Sequence, residues 1–407
     1  MTIQEFRSQF PILSREVYGK PLVYFDNAAT IQRPRQVLDA WTDLSSRCNA
    51  NLHRAVHYLA AEATQAYEDT RDTVRDYLHA EDRSEIVFTS GTTHSVNLVA
   101  FSFGEAFVRA GDEVIVSEAE HHSNIVPWQM MCQRKGATLK VLPVSEDGHL
   151  RVDLLEGLIS DKTKILAVSH ISNVLGLINP VAEIIRTCHA HGIPVLVDGA
   201  QGIVHEPVDV QALDCDFYVF SGHKMYAAPG TGVLYGKRKW LEQMPPYMGG
   251  GEMIGTVKFS RSTYAPLPQK FEAGTQNIAG TPTLKVAIDT LKQLQDKQLK
   301  EETEGVKAYL LDRIQSDSRL RLFGVPHGTD EKIGLFSFVA EGVHHEDLAL
   351  ILDKMGIAVR SGQMCAEPLM DRYGVTGMLR ISLAPYNTMQ EAKYFMKSLD
   401  RAINMLA

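Results

Sequence analysis

Between residues 85 and 237 the chain alternates short, strongly apolar runs with stretches of helical spacing. The runs are EIVFTS (85–90), EVIVSEA (113–119), TLKVLPV (138–144), KILAVSHIS (164–172), PVLVDGA (194–200), FYVFSGHK (217–224) and TGVLYGK (231–237). Several are rich in Ile, Val and Leu without polar alternation, as strands covered on both faces require. Among the intervening stretches, VAEIIRTCHAHG (181–192) has apolar residues at helical spacing and a terminal Gly. Strands separated by helices predict a mostly parallel sheet clothed on both sides. Only MYAAPG joins the last two runs, short enough for an antiparallel pair. After about residue 285 a long charged helical stretch (283–317) leads into a second strand-and-helix region. The pattern therefore predicts an α/β protein with a large domain over 21–285, built on a mostly parallel seven-stranded sheet covered by helices. A smaller α/β domain takes 286–407 together with 1–20, and the long helix bridges the two.

Composition narrows the class. The 407 residues are 44% hydrophobic and 22% charged, with a formal net charge of -8. That balance argues against nucleic acid or an anionic membrane as the main partner. The five cysteines (Cys48, Cys132, Cys188, Cys215, Cys365) are odd in number and widely spaced, without a CxxC pattern, which fits a reducing compartment. The opening MTIQEFRSQFPILSREVYG lacks a signal-peptide core, and no run approaches a membrane span, so a cytoplasmic protein is expected.

Ligands of open parallel sheets bind beyond the carboxyl ends of the strands, and polar clusters stand at several of them. SGTTHS (90–95) follows the first run and opens a helix, offering hydroxyls and free N–H groups to a phosphate. Its structural alternative is an N-cap with a tight turn. Asp198 ends PVLVD, where a buried carboxylate needs a cationic or donor partner. A protonated pyridine nitrogen meets that need; a helix-capping role is the alternative. Lys224 closes Ser221-Gly222-His223-Lys224 after the apolar FYVF, either as a surface lysine or as a desolvated Schiff-base amine. In this order, phosphate turn, carboxylate and lysine fit pyridoxal 5'-phosphate. His121 and His122 follow the second run, placed to stack on a ring and move protons or simply to fill a loop. Asn173, after KILAVSHIS, is within reach of the same cofactor or of a substrate carboxylate.

A further cluster lies in the C-terminal region. In Arg360-Ser361-Gly362-Gln363-Met364-Cys365-Ala366 the cysteine sits among polar loop residues, unlike Cys132, Cys188 and Cys215 in apolar runs. A loop thiol five residues from an arginine is suited to a lowered pKa and nucleophilic attack. Arg380, flanked by apolar residues in GMLRISLAPYNT, either grips a substrate carboxylate or joins an internal salt bridge. Two histidine patterns carry no metal reading: His53 and His57 lack the HExxH glutamate, and Cys188, His189 and His191 lack a fourth ligand.

The ordered segments YFDNAAT (24–30), GTT (91–93), EHHSNIVPWQM (120–130), SNVLG (172–176), VDGAQ (197–201), DCDFYVFSGHK (214–224), FEAGT (271–275), RSGQMCAEPLM (360–370) and LRISLAPYNT (379–388) resemble the second group (SufS/CsdA-like) of cysteine desulfurases, which are fold-type I pyridoxal-phosphate enzymes. The likeness runs from about Phe10 to the C-terminus. It implies conversion of L-cysteine to L-alanine, with a persulfide formed on Cys365 and passed to an acceptor protein of SufE or SufU type for iron–sulfur cluster assembly. The resemblance makes Lys224 the cofactor lysine, Asp198 the pyridinium partner, His121 the stacking histidine and Gln201 the contact to the phenolic oxygen. It assigns the phosphate to Thr92, Thr93, Ser221 and His223, joined by Thr275 of a neighbouring subunit in a homodimer. Asn173 and Arg380 fall on the substrate carboxylate, and Arg360 and His53 join the substrate side. Selenocysteine lyases, acting on L-selenocysteine, are similar; a non-catalytic scaffold of the same fold is the third possibility. The chain departs from the family pattern at Met364, at His94 and in MYAAPGTG after the lysine.

Overall fold

The computed structural model describes residues 1–406. The seven apolar runs form one sheet of β1 (Ile86–Thr89), β2 (Glu113–Ser117), β3 (Thr138–Leu142), β4 (Thr163–Ser169), β5 (Val195–Asp198), β6 (Phe217–Ser221) and β7 (Gly232–Gly236). Their order is β1-β7-β6-β5-β4-β2-β3. Neighbours from β6 through β3 are parallel, whereas β7 runs antiparallel to both β6 and β1. The antiparallel expectation for the last two runs therefore holds. Successive side chains point to opposite faces, so Ile86, Phe88, Leu166, Val168, Val195, Val197, Tyr218 and Phe220 enter one apolar layer. Val87, Ile165, Ala167, Leu196, Phe217 and Val219 enter the other. Each such aliphatic side chain, fully buried, contributes about 1.5–3 kcal/mol.

Helices α1 (Thr92–Phe107) and α2 (Val181–Ala190) cover the sheet; α2 buries Val181, Ile184, Ile185 and Cys188, the apolar positions of its sequence. Where the pattern predicts one long helix over 283–317 there are two, α3 (Thr283–Gln293) and α4 (Lys297–Gln315). Asp296 breaks the run: its backbone is extended and its carboxylate accepts the Leu299 N–H at 3.1 Å, the geometry of a new N-cap. Here α3 packs on the helices Arg35–Arg47 and Tyr58–Leu78, and α4 packs on the second region.

That region carries an antiparallel sheet of β8 (Leu320–Phe323), β9 (Leu335–Ala340), β10 (Arg360–Gly362) and β11 (Met378–Ser382), ordered β8-β9-β11-β10. Helices α5 (Glu367–Tyr373) and α6 (Met389–Leu406) complete it. The N-terminal segment joins both regions. Arg7 pairs with Glu391 at 3.0 Å and the Phe10 ring lies 4.7 Å from that of Tyr386, while Phe6 packs on Tyr226.

Candidate active site

The carboxyl ends of the parallel strands and the loop after β10 enclose a cavity of about 270 Å³. Its wall includes Thr92, Thr93, His121, Asn173, Asp198, Gln201, Ser221, His223, Lys224, Arg360, Cys365 and Arg380. The tertiary fold thus collects residues spread over 289 positions of chain, and two predicted residues stay outside. His53, in a left-handed backbone conformation, bonds Glu68 Oε1 at 3.1 Å and packs edge-on against Tyr67. The substrate position expected for His53 is therefore not met within one chain, because that ring is committed to Glu68. Thr275 lines a separate cavity with Ser90, His94 and Tyr247, which shares only Thr93 with the first.

One end of the cavity is built for an anion. Gly91 precedes α1 without a side chain to close the helix end, and Thr92 and Thr93 face inward from the first turn. Ser221 Oγ accepts the Thr92 N–H at 2.8 Å and lies 2.8 Å from Thr92 Oγ1. Thr93 Oγ1 is 2.7 Å from Ser123 Oγ, a hydroxyl absent from the sequence reading. The approach of β7 makes this possible: a Cβ on Gly232 would stand 2.4 Å from Gly91 Cα.

The floor carries opposite charges. Asp198 is buried, with Oδ1 accepting the Ala200 N–H at 2.9 Å, and burial raises its pKa. Lys224 faces it from the end of β6; burial lowers the amine to about 8, opposed by the attraction of Asp198. Neither forms an ion pair with any described residue. A buried carboxylate and a desolvated amine facing one cavity, beside the hydroxyls at a helix end, fit a flat cation that also bears an aldehyde and a phosphate.

His121 lies along the same cavity. Its Nδ1 accepts the Ser123 N–H at 3.0 Å, which leaves the proton on Nε2, and burial followed by the Lys224 charge lowers it to about 4. It is a neutral ring near pH 7. His223 is lowered to about 4 by burial as well. Gln201 is buried and donates Nε2–H to the Ala28 carbonyl at 2.9 Å. Beneath His121 the buried Glu120 accepts from Ser117 Oγ at 2.5 Å, Asn124 Nδ2 at 2.7 Å and Ser169 N at 2.8 Å. It ties the ends of β2 and β4 together, a role the sequence reading missed.

Arg380 is buried on β11. It donates Nη1–H to the Asn173 carbonyl at 2.8 Å and pairs through Nη2 with Asp26 at 3.3 Å, while its buried Nε has no partner. Arg360, half exposed, pairs with the same Asp26 at 3.0 Å. The internal salt bridge read from the sequence is present, and it holds the Arg380 guanidinium at the cavity wall. Asn173 donates Nδ2–H to the Met364 carbonyl at 2.8 Å. Met364 and Cys365 both have positive φ, 54° and 56°, a conformation that costs a non-glycine residue about 1–2 kcal/mol. The turn buries Met364 and leaves Cys365 exposed at the cavity mouth, whereas Cys132, Cys188 and Cys215 are buried.

Known proteins resemble this chain in sequence and fold. The aminotransferase class-V family model matches residues 23–395. A cysteine desulfurase of Escherichia coli O7:K1 is 46% identical over 406 residues, which span 100% of this chain and 99% of that protein. The chain belongs to the cysteine desulfurase family. The crystal structure of the cysteine desulfurase CsdA (S-sulfonic acid) from Escherichia coli superposes with a TM-score of 0.90 at 41% identity, covering all of both chains. The apo cysteine desulfurase of Thermococcus onnurineus NA1 superposes at 0.91 with 33% identity, covering 100% of this chain and 99% of that one. The family is pyridoxal-phosphate-dependent, and the group II resemblance is consistent with these relatives.

Proposed function

We propose that this cysteine desulfurase takes sulfur from free L-cysteine and holds it as a persulfide on Cys365, releasing L-alanine. The observation that carries this is the exposed Cys365 thiol at the mouth of the cavity whose floor holds the unpaired Lys224 and Asp198. Pyridoxal phosphate, when bound, supplies an aldehyde for an amino group and a protonated ring that draws electrons from the substrate Cα. Asp198 keeps the ring nitrogen protonated. Thr92, Thr93, Ser221 and His223 hold the phosphate, Gln201 meets the phenolic oxygen and His121 covers the ring face.

Arg380, fixed by Asp26 and the Asn173 carbonyl, offers its remaining N–H groups to the substrate carboxylate, with Asn173 beside it. Arg360 adds positive charge at the entrance. Lys224, desolvated enough to release a proton near neutrality, carries the Cα proton. The Cys365 thiolate attacks the substrate sulfur; an S–S bond forms as the Cβ–S bond breaks, and that bond's electron pair stays with carbon. Protonation there completes alanine, so cysteine plus the thiol yields alanine plus a persulfide without an external oxidant.

The persulfide passes to an acceptor protein of SufE or SufU type, and the sulfur serves iron–sulfur cluster assembly in the cytoplasm. No helix among the described residues is long and apolar enough to cross a membrane. The working unit is a homodimer in which Thr275 of one subunit reaches the phosphate of the other. Exposed apolar residues support this pairing: Phe259 is fully exposed at the tip of a hairpin that also exposes Val257 and Tyr264. Mass spectrometry of Cys365 after incubation with cysteine, run alongside alanine detection, tests the reading. Alanine release without sulfur on Cys365 would overturn it.

A further inference from the structure

Outside this cavity, four side chains capable of binding metal meet where the two sheet regions touch. Asp147 and His149 stand on the tight turn after β3, and His327 and Glu331 lie between β8 and β9. The imidazoles of His149 and His327 stack, with centroids 4.2 Å apart and planes 20° from parallel. His149 Nε2 faces Glu331 Oε2 at 3.3 Å. His149 Nδ1 is enclosed and makes no hydrogen bond, although Asp147 Oδ1 lies 3.4 Å away. His327 Nε2 contacts the other Asp147 oxygen. One ligating atom from each of Asp147, His149 and His327 lies within 4.8 Å of the others.

The backbone holds these groups in place. The Val325 N–H donates to the Asp147 carbonyl at 3.1 Å, and the His327 N–H donates to Glu331 Oε2 at 2.8 Å. Gly148, at φ +101°, lets the two loops approach, since a Cβ there would stand 2.8 Å from Leu175 Cδ1 and 3.3 Å from Gly324 Cα.

We propose that Asp147, His149 through Nδ1 and His327 through Nε2 form a binding site for a zinc-class divalent ion that clamps the two loops together. Two imidazoles and a carboxylate are a borderline N/O set suited to zinc. Glu331 accepts the Nε2–H of His149 and so selects the tautomer whose Nδ1 is free to ligate. Neighbouring ligands on tetrahedral zinc stand about 3.3 Å apart. The His327 side chain is exposed, and rotation of its ring would draw the three ligand atoms, now within 4.8 Å of one another, toward that spacing. Binding to the folded state alone stabilises that state.

Zinc is titrated into the holoenzyme against a chromophoric chelator, with cobalt as a spectroscopic probe. One ion per chain is expected, with affinity weakened at least about tenfold in His327→Ala and in His149→Gln and unchanged in Cys365→Ser. The cobalt spectrum should lack a thiolate charge-transfer band. Zinc should raise the melting temperature of the parent but not of His327→Ala, whose metal-free melting temperature shows whether it is folded. Undiminished binding in both histidine variants, loss of binding in Cys365→Ser, or no saturable binding would each reject the site.

Discussion

The backbone N–H of His122 donates to the Cys365 carbonyl at 2.7 Å, and the same residue's Nε2 accepts the Glu367 N–H at 3.0 Å. One residue, five positions beyond β2, thus holds the Cys365 turn through two bonds just C-terminal to the thiol. Met364 and Cys365 are both held at positive φ, so the turn depends on such outside bonds for its shape.

His122→Ala should therefore loosen the turn while leaving the substrate pocket intact. The side-chain bond lost is worth about 0.5–1.5 kcal/mol. Persulfide formation should slow several-fold with little change in KM for cysteine, measured by steady-state alanine release. An increase in KM with kcat preserved would contradict this role.

Lys224 and Cys365 should fail differently. Lys224→Ala removes the proposed proton carrier and should lower turnover by at least about 10²–10⁴-fold for any amino-acid substrate. Cys365→Ala should stop cysteine desulfuration yet spare selenocysteine cleavage, because selenium leaves with less help. Alanine release from both amino acids, measured on both variants, separates the two roles.

Arg71 and Glu272 form a buried ion pair at 2.7 Å, and Glu272 also accepts the Phe88 N–H of β1 at 2.7 Å. Removing one partner leaves a charge buried without compensation. Arg71→Ala should cost about 3–5 kcal/mol, read from urea unfolding, with the β1 edge opening earliest in hydrogen exchange.

Lys332 is buried beside the Leu175 carbonyl, and burial lowers its pKa to about 7. In the unfolded chain this amine is an ordinary lysine, so between pH 7 and about 10.4 the unfolded state binds more protons. Stability should then rise with pH across that window through this group, and Lys332→Met should flatten the rise. Urea midpoints at pH 7 and pH 9 for both proteins check the sign.

Much was legible in the sequence because it depends on neighbours along the chain. An unbroken apolar run such as Val195–Val197, bounded by Pro194 and Asp198, reads as a strand covered on both faces, and MYAAPG is too short for a crossover. Polar residues at strand ends announced Asp198, Ser221 and Lys224, and a cysteine among polar loop residues announced Cys365. The Asp296 cap was a local signal too, hidden by the continuous charged periodicity around it.

Other features depended on distances that no spacing encodes. Asp26 holds Arg360 and Arg380 across more than 330 positions, Glu120 ties β2 to β4, and His149 stacks on His327 from another sheet region. The sequence by itself determined which residue types were available and which local elements they formed, since backbone sterics and hydrophobic period act over a few residues. Only the tertiary structure decided which charges met, that Cys365 stood at the cavity mouth and that His53 turned to Glu68, because pairing and desolvation arise when distant segments pack.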